Sequence, residues 1–201
     1  KNLCAVDLGV DQVKIYKFND ETGKITLVDM LRCELESAPR IIKFSPDGRF
    51  AYLICELKNY ISVYTYKDGP RGPVFELVQT LSTLNEYHSK GSAACVLRFS
   101  RDWNYVLCSN AGDNSVGIFK IDRETGMLEK ICILPISGDY PKAADFFPDN
   151  RHIMALNHES NTMTIFRINY EKKYFSLWGK PLKVETPNCV LVSEIEEAPK
   201  Q

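Results

Sequence analysis

Seven cysteines and three histidines are the residue types in this 201-residue sequence best suited to metal binding or redox chemistry, and their spacing arranges them for neither. Seven is an odd count, so complete internal pairing is impossible, and no C-x-x-C occurs. Cys4, Cys55 and Cys108 each lie within an apolar run, as free buried thiols do, which favours a reducing compartment. His88, His152 and His158 do not fall at ligand spacing with the cysteines, so no zinc site is expected and nothing names another metal or a cofactor. The polar residues that do recur are Asp7, Asn110 and Asn157, each at the end of an apolar run, and Asp47, Asp102 and Asp149, each in a polar turn. Recurrence of that kind points to turn capping more than to chemistry.

The elements that carry these residues repeat. Val13–Phe18, Ile61–Tyr66, Val116–Ile121 and Met163–Ile168 share one alternating pattern with an aromatic at the same place, Tyr16, Tyr64, Phe119 or Phe166. The interval is roughly fifty residues, the length of a four-stranded repeat. Before each run comes a short apolar strand (Leu3 to Asp7, Ala51 to Cys55, Tyr105 to Ser109, Ile153 to Asn157), joined to it through a turn rich in Gly, Asn and Asp. After it comes a more amphipathic strand (Ile25 to Leu31, Phe75 to Leu81, Leu128 to Leu134, Phe175 to Leu182). A fourth strand completes each set: Pro39 to Phe44, Ala93 to Phe99, Lys142 to Phe147, and Asn188 to Val192. The expected fold class is all-β, a propeller of four-stranded antiparallel blades spanning residues 1–193. A β-sandwich would not repeat a register so closely. The insertion Gly69–Pro73 reads as a stiff surface loop, and residues 194–201 as a charged tail.

Four blades are fewer than most propellers need to close. Either the chain is a fragment of a longer one or four blades form a ring, and the start at Lys1 in mid-blade favours the fragment. With 25 Lys+Arg against 26 Asp+Glu, the net charge of −1 gives no reason to expect nucleic acid or a membrane surface as a partner. No apolar run approaches the length that spans a bilayer.

The segment Ala38–Tyr52, A-P-R-I-I-K-F-S-P-D-G-R-F-A-Y, followed by Glu56-Leu57, resembles the seven-bladed lactonase propellers. That family includes the bacterial 6-phosphogluconolactonases and is similar to the fungal carboxymuconate-cyclizing enzymes. Its pattern here is G-P-R-H-x-x-F-x-P-D-G-x-x-A-Y, then N-E-L. Asp7–Val13 resembles its D-L-G-x-D-x-[VI], and the likeness extends over all four units. It implies that the chain is the C-terminal four of seven blades, with the remaining blades of the same chain as partners. It also implies a sugar lactone or acid bound in a central channel. Opening a lactone needs an activated water and a cationic or hydrogen-bonding group for the developing oxyanion.

Carried over position by position, the resemblance makes Arg40 and Glu56 the candidate catalytic residues. Arg40 would bind a phosphate or carboxylate, or else hold a neighbouring blade through an ion pair. Glu56 would act as general base through water, or else accept turn N–H groups. Lys142 stands for the family's Arg, keeping a cation without the guanidinium fork, or is a solvated lysine. His158, Asn157, Asn110 and His88 complete the candidate substrate-binding set, with a surface role open for each histidine and a capping role for each asparagine. The family's pattern is broken at Ile41 and Arg98, which replace histidines, at Val96, which replaces an acid, and at Ala111, which replaces an arginine. The expected activity is 6-phosphogluconolactonase-like hydrolysis in the cytoplasm. The competing expectation is a non-catalytic propeller that serves as a binding platform.

Overall fold

Every side chain of Phe50–Cys55 is buried, which a strand achieves only when both faces of its sheet are covered. The computed structural model, which describes residues 1–69 and 72–193, shows how that cover is supplied. The first sheet holds β1 (Asn2–Asp7), β2 (Gln12–Phe18) and β3 (Ile25–Arg32) in sequence order. The second holds β4 (Pro39–Phe44), β5 (Phe50–Cys55), β6 (Tyr60–Gly69) and β7 (Gly72–Ser82). The third holds β8 (Ala94–Phe99), β9 (Tyr105–Asn110), β10 (Ser115–Ile121) and β11 (Leu128–Pro135). The fourth holds β12 (Pro141–Phe146), β13 (His152–Asn157), β14 (Thr162–Asn169) and β15 (Tyr174–Leu177), with the short β16 (Leu182–Lys183) also pairing β14. All pairings are antiparallel and, β14–β16 apart, join neighbours in the chain, and a 3-10 turn at Leu8–Val10 is the one helical element among the described residues.

The sheets stack face to face, so the core is three slabs between four sheets. Val13 and Ile15 of β2 lie on the buried side of the first sheet, and Val13 packs with Ala51, Leu53 and Tyr64 of the second. Tyr52, Ile54 and Val63 turn the other way, onto Leu97, Val106 and Phe119 of the third sheet. Leu107, Val116 and Ile118 then meet Ala144, Ile153 and Phe166 of the fourth. Adjacent residues of one strand thus serve opposite slabs, because successive Cβ atoms point to opposite faces. On the first sheet no described residue covers the outer face, and Leu3, Ile25, Leu27 and Met30 are exposed there.

Each sheet is tied to the next by the same device. Asp11, Asn59, Asn114 and Asn161 close the turns that lead into β2, β6, β10 and β14, all with φ between 52° and 54°. Asx residues tolerate this left-handed conformation better than other side chains with a Cβ. Their side chains reach the linker that leads to the following sheet. Asp11 accepts the N–H groups of Glu36 and Ala38 at 2.7 and 2.8 Å. Asn114 accepts that of Tyr140 at 2.8 Å, and Asn161 that of Thr186 at 2.7 Å. Asn59 instead donates to the Ser92 carbonyl at 2.8 Å. The recurrent aspartates hold the other turns: Asp47 accepts the Arg49 N–H at 3.1 Å, Asp102 that of Asn104 at 3.1 Å, and Asp149 those of Arg151 and His152 at 2.8 and 3.0 Å.

Two expected strands differ. Phe175 to Leu182 is broken into β15 and β16, because Gly179 takes φ 82° and Pro181 has no N–H to donate to a ladder. Asn188 to Val192 forms no strand, since no described strand lies beside it to pair with. Thr186, just before it, takes a positive φ of 41°, as Ala38 and Tyr140 do before β4 and β12. The β6–β7 hairpin runs on to Gly69 and Gly72, so the flanks of the expected surface loop are strand. Pro70, Arg71 and the tail 194–201 lie outside the described residues.

Two predictions test these ties. Asn114→Ala removes the acceptor for Tyr140 and is expected to cost about 1–3 kcal/mol in urea unfolding, and Asn114→Gly, which keeps the left-handed turn, less. The matching turns at Gly23 and Gly126 both have positive φ, but a Cβ on Gly126 would come within 2.4 Å of the Phe50 ring and one on Gly23 meets nothing. Gly23→Ala should cost roughly 1–2 kcal/mol for the backbone alone, and Gly126→Ala at least about 1 kcal/mol more for the clash.

Candidate functional site

The innermost strands of the last three sheets share one irregularity. In β4, Pro39 pairs Cys55 and Ile41 pairs Ile54, so Arg40 is left over. In β8 the residue left over is Cys95, and in β12 it is Lys142. A bulge frees one residue from the ladder and re-aims its side chain. Ala38 and Tyr140, just before Pro39 and Pro141, adopt φ 53° and 58°, which turns the chain into the strand with no N–H at its first position. The linker clamps described above therefore set where Arg40 and Lys142 point.

Glu56 is the first residue after β5. Its own N–H donates to the Ala38 carbonyl at 2.8 Å, and its carbonyl accepts the Ala94 N–H at 3.0 Å. The backbone of Glu56 is thus fixed to the starts of both β4 and β8. Its carboxylate Oε2 pairs with Arg40 Nη1, with Arg40 side-chain exposure of 39% and Glu56 of 20%. The pair uses one of the five guanidinium N–H donors and one carboxylate oxygen, so both groups keep capacity for a ligand or water. Cys95 joins them. Burial pushes its thiol pKa up, the Arg40 and Lys142 charges pull it down, and Glu56 pushes it up again. Arg40 and Lys142 occupy the same bulge position in β4 and β12, and Glu56 is paired with Arg40. The net shift is upward, so Cys95 stays a thiol at neutral pH and is no nucleophile. Lys142 lies with Nζ 5.7 Å from the centre of the Tyr140 ring, a cation–π contact that holds it at the rim.

The other candidates take different positions. His158 follows β13 as Glu56 follows β5, and its Nδ1 lies 3.2 Å from the Pro187 carbonyl. Asn110 and Asn157 are wholly buried. Asn110 donates to the Thr83 carbonyl at 2.8 Å and to Ser115 Oγ at 3.0 Å, and Asn157 donates to Thr162 and Thr164 at 3.1 Å each. Both hold their hairpins, as their recurrence implied. His88 is exposed, 2.9 Å from the Asn85 carbonyl, and borders a depression with Lys58 and Asn59 rather than with Arg40. His152 sits 2.5 Å from Asp149 in a turn. Val96 packs in the slab between the third and fourth sheets at 4% exposure, and Ala111, the first residue after β9, is wholly buried.

Sequence reasoning missed Cys95 and a second cluster. Cys95 has the same register as Arg40 and Lys142, a signal present in the strand alignment but hidden by its apolar type. Lys43, Arg98 and Asp145 also share one register, pairing Tyr52, Leu107 and Met154.

Residues 1–192 match the family model described as lactonase, seven-bladed β-propeller. A 6-phosphogluconolactonase of Bacillus subtilis is 26% identical over 188 residues, covering 94% of this chain and 53% of that protein. An uncharacterized Lactococcus lactis protein is 31% identical over 189 residues, or 94% and 54% of the two chains. Among solved structures, a periplasmic gluconolactonase of Pseudomonas aeruginosa superposes with TM-score 0.85 at 25% identity, over 94% of this chain and 52% of that one. The chain spans about half the length of the relatives it matches. With four-bladed stacking, recurrent clamps and a family model that covers almost all of it, the chain belongs to the seven-bladed β-propeller lactonase family.

Proposed function

We propose that this chain carries part of the active site of a lactone hydrolase acting on a sugar lactone of the 6-phosphogluconolactone type. The observation that carries the reading is the Arg40–Glu56 ion pair, with Arg40 and Lys142 each freed from its ladder by a matching bulge. Glu56 takes a proton from water as general base. The hydroxide equivalent adds to the lactone carbonyl, and the electron pair moves to the carbonyl oxygen. Arg40 and Lys142 supply positive charge for that oxygen or for an acid group of the substrate. Collapse of the tetrahedral intermediate breaks the ring C–O bond, and the proton passes to the released hydroxyl. Relatives named 6-phosphogluconolactonase and gluconolactonase support the substrate class.

The alternative, a binding platform, predicts inner-edge positions without charge. Cys95 and Ala111, which stand where the neighbouring repeats place Arg40 and Glu56, favour it for the third sheet.

Lactone hydrolysis by the full-length protein tests the choice, with 6-phosphogluconolactone beside gluconolactone. Glu56→Gln should lower kcat/KM by about 10²–10⁴-fold. Arg40→Ala should lower kcat by about 10²–10³-fold, the scale of a lost oxyanion donor. Lys142→Ala should raise KM more for the phosphorylated lactone than for the plain one. A folded full-length protein that turns over neither lactone leaves the platform as the reading.

A further inference from the structure

Three residues beyond the bulges, roughly 10 Å along the strands at about 3.3 Å per residue, the inner edge carries the second cluster. Lys43, Arg98 and Asp145 follow one another on β4, β8 and β12 at a single register. Together with Arg101 they line a recess of about 400 Å³ whose other walls include Trp103, Phe146, Leu191 and Val192. Three cations there face one carboxylate.

That carboxylate does not satisfy them. Arg98 Nε lies 3.6 Å from Asp145 Oδ2, too far for a hydrogen bond, and Nε is buried with no hydrogen-bond partner. Asp145 Oδ1 is occupied by the Phe146 N–H at 2.9 Å. Arg101 donates through Nη2 to the Val192 carbonyl at 3.0 Å, which leaves its other donors for the recess. Burial pushes the Asp145 pKa up against the pull of Arg98, Lys43 and Arg101. Burial also pulls the Lys43 pKa down, and Arg98 pulls it further against Asp145. A structural ion pair would not need two spare cations and an unsatisfied guanidinium nitrogen beside an open space. Such a buried donor is costly unless something accepts from it.

We propose that this recess binds a small oxyanion, a phosphate or carboxylate group, held by Arg98 with Lys43 and Arg101, and that it is a site separate from the Arg40–Glu56 pair. The guanidinium of Arg98 offers a planar fork suited to two oxygens of such a group. The apolar walls accommodate the carbon part of an organic anion. Asp145 competes with the ligand for Arg98 and so tunes affinity, a role distinct from binding it. The site does not depend on lactone hydrolysis.

Trp103 on the recess wall is a local reporter once the other tryptophan is removed as Trp178→Phe. Titrating the full chain with inorganic phosphate, and separately with succinate, at ionic strength held constant with chloride, should give a saturable fluorescence change and a matching calorimetric isotherm with at least one of them. Which of the two binds identifies the anion. Arg98→Gln should weaken binding at least tenfold, and Lys43→Met several-fold. Asp145→Asn should tighten it, since the competing carboxylate is gone, and Arg40→Ala should leave the Trp103 response unchanged. Circular dichroism checks that each variant is folded, and Asp145→Asn decides the matter should Arg98→Gln fail to fold. The proposal is overturned if neither anion produces a saturable response in the native chain or in Asp145→Asn. It is equally overturned if a folded Arg98→Gln binds as the native chain does.

Discussion

The second and third sheets of this protein are apolar on both faces, so each needs a sheet packed on either side. The constraint is visible in β5 and in the Val106–Asn110 stretch of β9, where no side chain reaches solvent. Alternate residues are committed to alternate slabs, and a one-residue slip would send every side chain to the wrong neighbour. Stacking angle and spacing must therefore be held closely, and the left-handed Asx turns do this where the chain crosses between sheets. Since the crossing leads directly into an innermost strand, the same hydrogen bonds that stabilise the stack also set the position of the bulges.

The candidate site is a by-product of that arrangement put to use. A bulge leaves one residue outside the ladder and re-aims its side chain. In two of the three sheets that residue is cationic, and the acid that balances one of the cations comes from the end of the adjacent strand. Arg40 and Glu56 are sixteen residues apart yet paired, because β4 and β5 form an antiparallel hairpin whose open ends coincide. The two alternatives left open for Arg40, a ligand contact or an ion pair, are thus less exclusive than they look. The ion pair is with the very carboxylate proposed as the base, although it ties residues of one sheet instead of two.

The far end of the same strands shows the opposite balance. There the register that aligns Lys43, Arg98 and Asp145 brings an excess of positive charge into partial burial, where desolvation acts against the ionised forms of both Lys43 and Asp145. Repeats make such clusters easily, because one substitution per blade at a fixed register places three groups side by side. They also make them hard to see, since the residues lie about fifty positions apart.

The sequence by itself determined the number of sheets, the order of strands, the turn residues and the family, because alternation, turn chemistry and repetition are local properties that survive in one dimension. The aromatic of each third element and the Asp of each Ser-x-Asp turn could be aligned without coordinates, and Arg40 and Glu56 were legible through their motif. Strand 188–192 was not, because a strand exists only if a partner lies beside it. Nor was the burial of Asn110 and Asn157, whose polar type resembles that of a ligand contact until the packing around them is known. Cys95 and the Lys43–Arg98–Asp145 cluster were decided by tertiary structure alone. Their proximity depends on the register of three bulged strands and on the distance between stacked sheets, which no single stretch of sequence encodes.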